Sequence, residues 1–357
     1  MGDCRFDPGC ASEIDIAKMD LSKQKEVYDL LSDTFYEMYP HLTFSSFEQH
    51  QKDWNFKSPT SDLFRFIAEE DEKIVGYGML FVRFNDENKK EIEFSGFRIF
   101  VNSKYRNKGI GTNILQRIIA KAKTLNITSL KSHTNTESGK HFLENLNGEI
   151  LTTNFNNYLK LGDANWYKLD EIKRKCEKKT PEIEIEITKE LGKNDELQFL
   201  DLMVELNKDI NDFEKNRNFD ETKYRSSFYK KRVKDLEEGN FFITALAKTK
   251  TGEIVALSEL LHLHYIPNEL YCEISGTKAT HRGKGLCKRL KTELLEHVKE
   301  NYPQITMITT ANHEENHVMR KINTLLGYKQ SPVNITYQFD ICAIDSTPKE
   351  TNTPEKH

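Results

Sequence analysis

The sequence lacks a strong excess of charge of either sign and lacks long apolar runs. Its 357 residues carry 52 basic and 56 acidic side chains, for a formal net charge of −4. Without a basic excess, nucleic acid is not expected as a partner. No apolar stretch approaches the roughly 18 residues that a membrane helix needs, so no membrane partner is expected either. The hydrophobic content of 37% still suffices to build hydrophobic cores.

Closely spaced cysteine pairs are also missing. The cysteines are Cys4, Cys10, Cys176, Cys272, Cys287 and Cys342, without any C-x-x-C motif. In a chain of this length, scattered cysteines are typical of reduced thiols, so we expect a cytoplasmic protein. We expect it to be a monomer or a homodimer. The opening segment has no apolar stretch of a secretory signal, and Phe6 replaces the Ser or Thr of a myristoylation site. We expect a frayed N-terminus; a lipid anchor involving Cys4 is the alternative.

Two common phosphate-binding loops are absent as well. The chain has no G-x-x-x-x-G-K-[ST] motif. It also has no G-x-G-x-x-G motif followed by an acidic residue about 20 positions later. NTPases and dinucleotide-dependent dehydrogenases are therefore poor fits.

What the sequence does contain is a long internal repeat. Arg106, Gly109 and Ile110 lie at a constant offset from Arg282, Gly285 and Leu286, and an amphipathic helical pattern follows in both places. Upstream, each half has two strand-like runs joined by a turn and then an extended run. Downstream, each half has a strand, an Asn, a short helix and a Leu-rich end. Because the order of elements repeats, we predict a tandem duplication that forms two α/β domains.

The predicted domain boundaries follow from composition. The first domain is expected over 13–162 and the second over 182–343. Between them, 163–181 has apolar residues at helical spacing and ends at a proline, which indicates a connecting helix or linker. The tail, 344–357, is polar and contains proline, so we expect it to be disordered.

The repeated Arg-x-x-Gly segment predicts an anion site in each half. A strand that enters a helix through a glycine turn exposes several backbone N–H groups, and the helix dipole adds partial positive charge. Glycine tolerates positive φ, and basic side chains add charge-assisted hydrogen bonds. The candidate pyrophosphate sites consist of Arg106, Lys108, Gly109 and Gly111 in the first half and Arg282, Lys284, Gly285 and Cys287 in the second. A basic helix cap is the alternative.

The same segments resemble the acetyl-CoA motif [Q/R]-x-x-G-x-[G/A] of the GNAT superfamily of N-acetyltransferases. "RNKGIG" (106–111) matches it fully, whereas "RGKGLC" (282–287) has Cys287 at the last position. Asn135 and Asn312 match the Asn that the family places after its fifth strand, and "LLGY" (325–328) matches its LGF/LGY signature. The two-copy layout is similar to tandem GNAT proteins such as mycothiol synthase. The resemblance implies two domains, each with a mixed, mostly antiparallel sheet flanked by helices.

The resemblance implies acetyl-CoA as co-substrate, with no metal, and a set of coenzyme-binding residues. These are Arg106, Asn107, Lys108, Gly109, Ile110, Gly111, Asn135, Thr277, Arg282, Gly283, Lys284, Gly285, Leu286, Cys287, Asn312 and Asn316. In tandem proteins of this kind one half, often the C-terminal one, tends to be active.

The resemblance also points to catalytic candidates. The family's basic carboxylate lies about eleven residues before the motif Arg, where this chain has Ser95 and Tyr271. Because strand side chains alternate, Glu93 and Glu273 lie on the same faces two residues away, and they become the candidate bases. The family's acidic Tyr corresponds to Asn323 or, in the first half, Leu143. The acid therefore stays open, with Tyr328 and Tyr271 as candidates.

The predicted function is acetyl transfer from acetyl-CoA to a primary amine of a small molecule or peptide, by direct attack with a carboxylate or water as base. The alternative is a non-catalytic protein that binds acetyl-CoA or acts as a scaffold. A third class, a zinc peptidase, comes from the H-E-x-x-H pattern at His313, Glu314 and His317. We disfavour it because no third ligand follows and because Asn312 and Glu315 have the spacing of a helix cap.

Overall fold

The structure, a computed structural model, describes residues 11–85, 88–213 and 219–342. The predictions of a frayed N-terminus and of a disordered tail over 344–357 fall on residues outside these ranges. The elements before the middle of the chain are β1 (Ser12–Ile14), α1 (Leu21–Met38), α2 (Phe47–Asn55), β2 (Ser61–Glu70), β3 (Lys73–Phe84), β4 (Ile92–Val101), α3 (Ile110–Thr124), β5 (Ser129–Thr134), α4 (Glu137–Glu144) and β6 (Glu149–Lys160). The later elements are α5 (Trp166–Glu177), β7 (Glu184–Thr188), α6 (Lys193–Phe213), α7 (Glu221–Glu237), β8 (Phe241–Lys248), β9 (Ile254–His262), β10 (Glu269–Thr277), α8 (Leu286–Asn301), β11 (Met307–His313), α9 (His317–Leu326), β12 (Lys329–Gln330) and β13 (Asn334–Asp340).

Two compact units make up the chain. The first comprises Met1–Thr153 and Asn334–His357, and the second comprises Asn154–Val333. The predicted fold class is confirmed, because each unit has a mixed, mostly antiparallel sheet with helices packed on it. Within the ranges that the structure describes, no helix is long and apolar enough to span a bilayer.

The first unit has the strand order β1-β2-β3-β4-β5-β13, and only the β4–β5 pair is parallel. Helix α3 packs on one face through Ile110, Ile114 and Ile118, all buried. Close approach of this helix requires glycine on β3, since a Cβ at Gly78 would lie 2.2 Å from Ile114 Cγ2. Helices α1 and α2 cover a second cluster, which includes Trp54.

The second unit repeats this arrangement. Its strand order is β6-β11-β10-β9-β8-β7, and only the β10–β11 pair is parallel. Strand β9 is buried along its whole length, which matches its apolar sequence "IVALSELLH". Helix α8 covers one face of the sheet with Leu286, Leu290 and Leu294, and α6 covers the other with Phe199 and Leu206.

The predicted domain boundaries differ from the observed ones at the last strand of each domain. Strand β13 lies near the C-terminus but pairs with β5 of the first unit, from Ile335↔Thr134 to Asp340↔Ser129. Its Phe339 is buried beside Phe97, with ring centroids 5.6 Å apart. Residues 154–160 of β6 pair instead with β11 of the second unit. The boundaries 13–162 and 182–343 are therefore corrected, because each unit is completed by a strand from the other half of the sequence.

The predicted connecting helix is present but does not serve as a linker. Helix α5 occupies Trp166–Glu177. Its Leu169, Ile172 and Cys176 belong to the hydrophobic core of the second unit, where the helix packs against α8. The segment 163–181 is therefore part of that unit.

Candidate active site

The two parallel strands of the second unit diverge at a defined point. Strands β10 and β11 pair from Glu269↔Met307 to Tyr271↔Thr309. Beyond that point β10 continues with β9 as far as Thr277, while β11 continues with β6. Because each strand keeps its other neighbour, the two separate after Tyr271 and leave a wedge-shaped opening in the sheet.

The first unit has the same divergence. Strands β4 and β5 pair only at Gly96↔Lys131. Beyond it β4 stays with β3 up to Val101, and β5 stays with β13 up to Thr134. In both units a hydroxyl still bridges the strands at the start of the opening: Ser132 Oγ donates to Phe97 O over 2.9 Å, and Thr310 Oγ1 donates to Cys272 O over 3.3 Å.

A glycine turn follows the strand that borders each opening. Gly109 and Gly285 precede helices α3 and α8 with φ of 82° and 92°, and Asn107 and Gly283 are also left-handed, with φ of 61° and 80°. These conformations favour glycine or asparagine. The predicted turn chemistry is therefore what the backbone adopts in both halves.

The turns present free backbone donors to solvent. The first helical hydrogen bonds run from Asn113 N to Gly109 O and from Arg289 N to Gly285 O, over 2.9 and 3.0 Å. The amides before Asn113 and Arg289 therefore have no acceptor within their helices. Lys108 and Lys284 are exposed beside them. Together with the helix dipole, this arrangement suits a phosphate or pyrophosphate group.

The two motif arginines have a different role from the predicted one. Arg106 Nε donates to Val101 O over 3.0 Å, and its guanidinium is held by Glu37 on α1. Arg282 Nε donates to Thr277 O over 3.1 Å, and its guanidinium pairs with Asp209 on α6. The hydrogen bond from Arg106 lowers the pKa of Glu37, so the pair is charged at neutral pH. Each arginine therefore fixes a helix to the end of a strand.

Cys287 replaces the last small residue of the motif in the second unit. Burial raises the pKa of its thiol to about 11, so it is a neutral thiol and not a reactive thiolate. The equivalent Gly111 has ordinary space around it, since a Cβ there would lie 3.4 Å from Phe142. A small side chain at this position is therefore compatible with the turn.

The predicted asparagines differ in their surroundings. Asn135 Nδ2 donates to Met38 O over 3.1 Å, while its Oδ1 is buried without a partner. Asn312 Oδ1 accepts a hydrogen bond from Asn323 Nδ2 over 2.7 Å, and Asn323 Oδ1 is likewise buried and unpaired. A buried acceptor without a donor is costly, so these two oxygens are local exceptions to the hydrogen bonding of the interior.

The H-E-x-x-H pattern is divided between two elements. His313 is the last residue of β11, and His317 is the first residue of α9. The two imidazoles therefore do not lie one turn apart on a helix, as a zinc peptidase requires. The predicted cap at Asn312 is also wrong: Asn312 lies within the strand, and Asn316 caps α9 by accepting from Met319 N over 3.1 Å.

Glu273 lies at a β-bulge at the start of the opening in the second unit. The β9–β10 register passes from Cys272↔Leu260 to Ile274↔Glu259, so Glu273 has no partner in β9. A bulge re-aims side chains and frees main-chain groups from the ladder. The carboxylate of Glu273 is 28% exposed and lies 3.7 Å from the Lys231 ammonium. It is therefore accessible beside the divergence of the strands.

Tyr271 stands next to this bulge, at the last paired position of β10. The main chain of Ala311 on β11 is close enough to the Tyr271 hydroxyl to oppose part of the rise in its pKa. Burial, reinforced by the charge of Glu273, raises the pKa of Tyr271 to about 12. The hydroxyl is thus protonated at neutral pH and can donate a proton.

Comparison with known proteins agrees with this geometry. Residues 25–147 match the acetyltransferase (GNAT) family. The chain is similar to a solved tandem GNAT protein from the clavulanic acid biosynthesis pathway, with 15% identity, a TM-score of 0.66 and coverage of 93% of this chain and 98% of that one. It is also similar to a GCN5-related N-acetyltransferase from Sphaerobacter thermophilus, with 13% identity, a TM-score of 0.62 and coverage of 94% and 96%. No curated protein matches the chain in sequence.

The chain has the fold of a tandem GNAT protein. The predicted resemblance is thereby confirmed, by the family match over residues 25–147 and by the fold over nearly the whole chain. The family match supports acyl transfer of the acetyltransferase type as the class of chemistry.

Two of the catalytic candidates do not lie at the openings between the diverging strands. Glu93 lies before Gly96, on the closed side of the β4–β5 pair, and forms an ion pair with Arg83 over 2.9 Å. Tyr328 is 7% exposed in the core of the second unit, with its ring 5.2 Å from Lys291 Nζ. Tyr328 and Cys272 line the same small cavity. Because side chains alternate along β10, Cys272 lies on the opposite face of the sheet from Tyr271, and Tyr328 therefore does too. Both are corrected: Glu93 has a surface ion pair, and Tyr328 is a core residue.

Sequence reasoning missed a buried ion pair next to the bulge of the second unit. Glu259 on β9 is opposite Ile274 and Thr244 in the register and is 3% exposed. Arg232 of α7 lies 2.9 Å from its Oε2, and Thr244 Oγ1 donates to the same oxygen over 2.7 Å. Burial raises the pKa of Glu259, an effect that Arg232 opposes. In the sequence, this pair is indicated by Glu259 itself, which is a single carboxylate within the otherwise apolar strand β9.

Proposed function

We propose that the protein is an acetyl-CoA-dependent N-acetyltransferase and that the second unit carries the reaction. The observation that carries the proposal is the coincidence of three features at one point of β10. These are the divergence from β11, the bulge at Glu273 and the protonated hydroxyl of Tyr271. The first unit has the divergence and the glycine turn, but the bulge of β4 falls at Glu93, before the β4–β5 pair at Gly96, and not beyond the point of divergence.

Acetyl-CoA fits the residues that surround the opening. The glycine turn before α8 supplies backbone donors and Lys284 for the pyrophosphate, with Gly283, Gly285 and Leu286 forming the turn. The coenzyme supplies the thioester-activated acetyl group.

The roles of the protein groups follow from their positions. Glu273 takes a proton from the ammonium form of the amine, directly or through water, so that the neutral nitrogen can attack the thioester carbon. The main chain at the bulge offers a hydrogen-bond donor for the oxygen that becomes negatively charged. Tyr271 donates its proton to the sulfur when the carbon–sulfur bond breaks. The acceptor is a primary amine of a small molecule or a peptide.

Thiol release from acetyl-CoA over a panel of amines tests this assignment. We expect turnover by the wild type, a loss of at least about 100-fold in kcat for Glu273→Gln, and a smaller loss for Tyr271→Phe. Glu184→Gln, an exposed strand carboxylate at the far edge of the same sheet, is the matched control. Thiol release that depends on Glu93 instead of Glu273 would assign the reaction to the first unit.

The competing function is acetyl-CoA binding without catalysis. Two observations favour binding without catalysis. Arg282 is paired with Asp209, and Tyr328 lies in the core, so neither side chain is placed to contact a substrate. It predicts that acetyl-CoA raises the melting temperature while no amine in the panel causes thiol release. No thermal response to millimolar acetyl-CoA would contradict both functions.

A further inference from the structure

Arg98 in the first unit is a half-buried cation without a counterion. It lies on β4, just past the point where β4 and β5 separate. Within the three described ranges, its guanidinium has no hydrogen bond and no ion pair. Arg106 on the same stretch of chain is, by contrast, held by Glu37. An arginine left without an acceptor in a partly buried place is costly, so its surroundings are informative.

His133 faces the same place from β5. Gly96 and Lys131 are register partners, and Arg98 and His133 each follow two residues later. Because strand side chains alternate, both therefore project from one face of the sheet, across the opening. Tyr39 approaches from the end of α1, which Asn135 ties to the end of β5. We call Arg98, His133 and Tyr39 the Arg98 site.

All three side chains of the Arg98 site are hydrogen-bond donors at neutral pH. Burial lowers the pKa of Arg98 to about 10, which leaves the guanidinium charged. Burial and the charge of Arg98 lower the pKa of His133 to about 3, so its imidazole is neutral. Burial raises the pKa of Tyr39, so its hydroxyl keeps its proton. The site thus has one positive charge and several donors, and no carboxylate influences any of the three groups.

We propose that the Arg98 site binds the carboxylate of an organic acid. A guanidinium pairs with a carboxylate through two parallel hydrogen bonds, and neutral imidazole and phenol groups add donors. A single negative charge balances the site. A phosphate dianion would leave an uncompensated charge in a half-buried place and would therefore be disfavoured.

The carboxylate can come from two sources. It can belong to a free acid, for which the aromatic rings beside Tyr39 provide an apolar wall: Phe35 lies 5.4 Å from Tyr39 and 5.0 Å from Phe44, between ring centroids. It can also end the acyl chain of a coenzyme A thioester, because the site borders the opening of the first unit. Only this second source rests on the proposed function.

Melting temperatures of the full-length protein test the proposal with defined probes. We expect phenylacetate to stabilise the wild type and its neutral isostere, 2-phenylacetamide, not to do so. Arg98→Met should lower the affinity for phenylacetate by at least about tenfold, because it removes the charge and keeps the stem. Arg98→Lys should bind with intermediate affinity. Arg83→Met, which removes an arginine paired with Glu93 on the neighbouring strand, should bind as the wild type.

The stability of the unliganded variant is a second readout. Because Arg98 has no counterion, Arg98→Met should melt at or above the wild-type temperature without ligand. A variant that fails to fold, or melts well below the wild type, would mean that Arg98 has a structural partner and would overturn the proposal. Equal stabilisation of the wild type and Arg98→Met by phenylacetate would also overturn it.

A second pair of probes separates the two sources. If succinyl-CoA stabilises the wild type more than acetyl-CoA does, and Arg98→Met abolishes only this difference, the carboxylate belongs to the acyl chain. If phenylacetate alone responds to Arg98, the ligand is a free acid. The proposal would be overturned if neither phenylacetate nor acetate stabilised the protein and if succinyl-CoA stabilised it no more than acetyl-CoA does. Failure of the proposed function would be seen in a different measurement, because that function is tested by thiol release and by the Glu273 variant.

Discussion

Arg106 and Glu37 form a two-point ion pair, with distances of 2.5 Å between Nη1 and Oε1 and 2.6 Å between Nη2 and Oε2. Arg282 and Asp209 form a one-point ion pair at the equivalent place in the second unit. The arginine that introduces each glycine turn therefore joins a helix to the end of a strand. The turn is held in place by the arginine, and its backbone donors stay available for an anion.

Glu37→Gln tests this structural role. The lowered pKa of Glu37 means that the ion pair contributes stability above the unfolded-state pKa and that this contribution is lost as the pH falls through the folded-state pKa. Since Glu37 is 40% exposed, we expect a loss of at most about 1 kcal/mol at pH 7 and a smaller loss as the pH falls. Urea unfolding measures the loss, with Asp33→Asn, on the same helix, as control. Reduced acetyl-CoA binding at unchanged stability would contradict the structural role.

The glycines of the two turns should respond differently to alanine. Both have positive φ, which costs a non-glycine residue about 1 kcal/mol. A Cβ at Gly109 meets nothing within 4 Å, whereas one at Gly285 would lie 3.0 Å from Cys176 Sγ. We therefore expect Gly285→Ala to lower the free energy of unfolding more than Gly109→Ala does. Equal losses in urea unfolding would mean that Cys176 moves aside without cost.

The internal repeat explains why much of the fold could be predicted. A duplication constrains both halves at once, so the strand–turn–helix segment at Gly109 was supported by the one at Gly285. The left-handed φ of both residues confirms the turn. Turns of this kind can be predicted from the sequence, because a glycine at a fixed place in the motif indicates a positive φ at that residue.

Strand partners could not be read in the same way. The alternating pattern of β13 predicts a strand with one buried face, but it does not say which sheet buries Tyr337 and Phe339. The bulge at Glu273 was also unpredictable, because an extra residue in a strand leaves no mark in composition. The predicted cap at Asn312 failed for a related reason: the strand continues past it, and Asn316 caps the helix equally well.

The Glu259–Arg232 pair should behave as a coupled unit. Glu259 is 3% and Arg232 14% exposed, so removing one partner leaves a buried charge. We expect Arg232→Met to destabilise the protein by about 3–5 kcal/mol. The combined change Arg232→Met with Glu259→Met should recover most of this loss, because no unpaired charge then remains. Urea unfolding of the two single variants and the double variant gives the coupling energy.

The pH dependence of the Arg232→Met variant provides an internal control. Without Arg232, burial and the charge of Glu273 raise the pKa of Glu259 and only the hydrogen bond from Thr244 still lowers it, so the pKa rises further. A folded-state pKa above the unfolded value means that the folded form binds the proton more tightly, so the destabilisation should shrink as the pH falls. A loss that is independent of pH would show that the variant is destabilised by packing and not by an unpaired charge.

His133 should make the first unit sensitive to mild acid. Its pKa is lowered from the model-compound value of 6.5 to about 3 by burial and by the charge of Arg98. Between these two pH values the unfolded state binds a proton that the folded state does not, so stability falls as the pH falls. The expected slope is at most about 1.4 kcal/mol per pH unit, for one proton. His133→Gln should remove this slope, as measured by urea unfolding between pH 7 and 4.

His141→Gln, which changes an exposed histidine on α4 of the same unit, is the matched control and should keep the wild-type slope. Arg98→Met should reduce the slope only in part, because burial is the larger cause of the shift at His133 and the charge of Arg98 is the smaller one. If Arg98→Met removed the slope as fully as His133→Gln, the guanidinium would be the main cause and the imidazole would be better solvated than its position between the strands indicates. If neither variant changed the slope, His133 would bind protons alike in the folded and unfolded states, and burial would not keep its imidazole neutral as the pH falls.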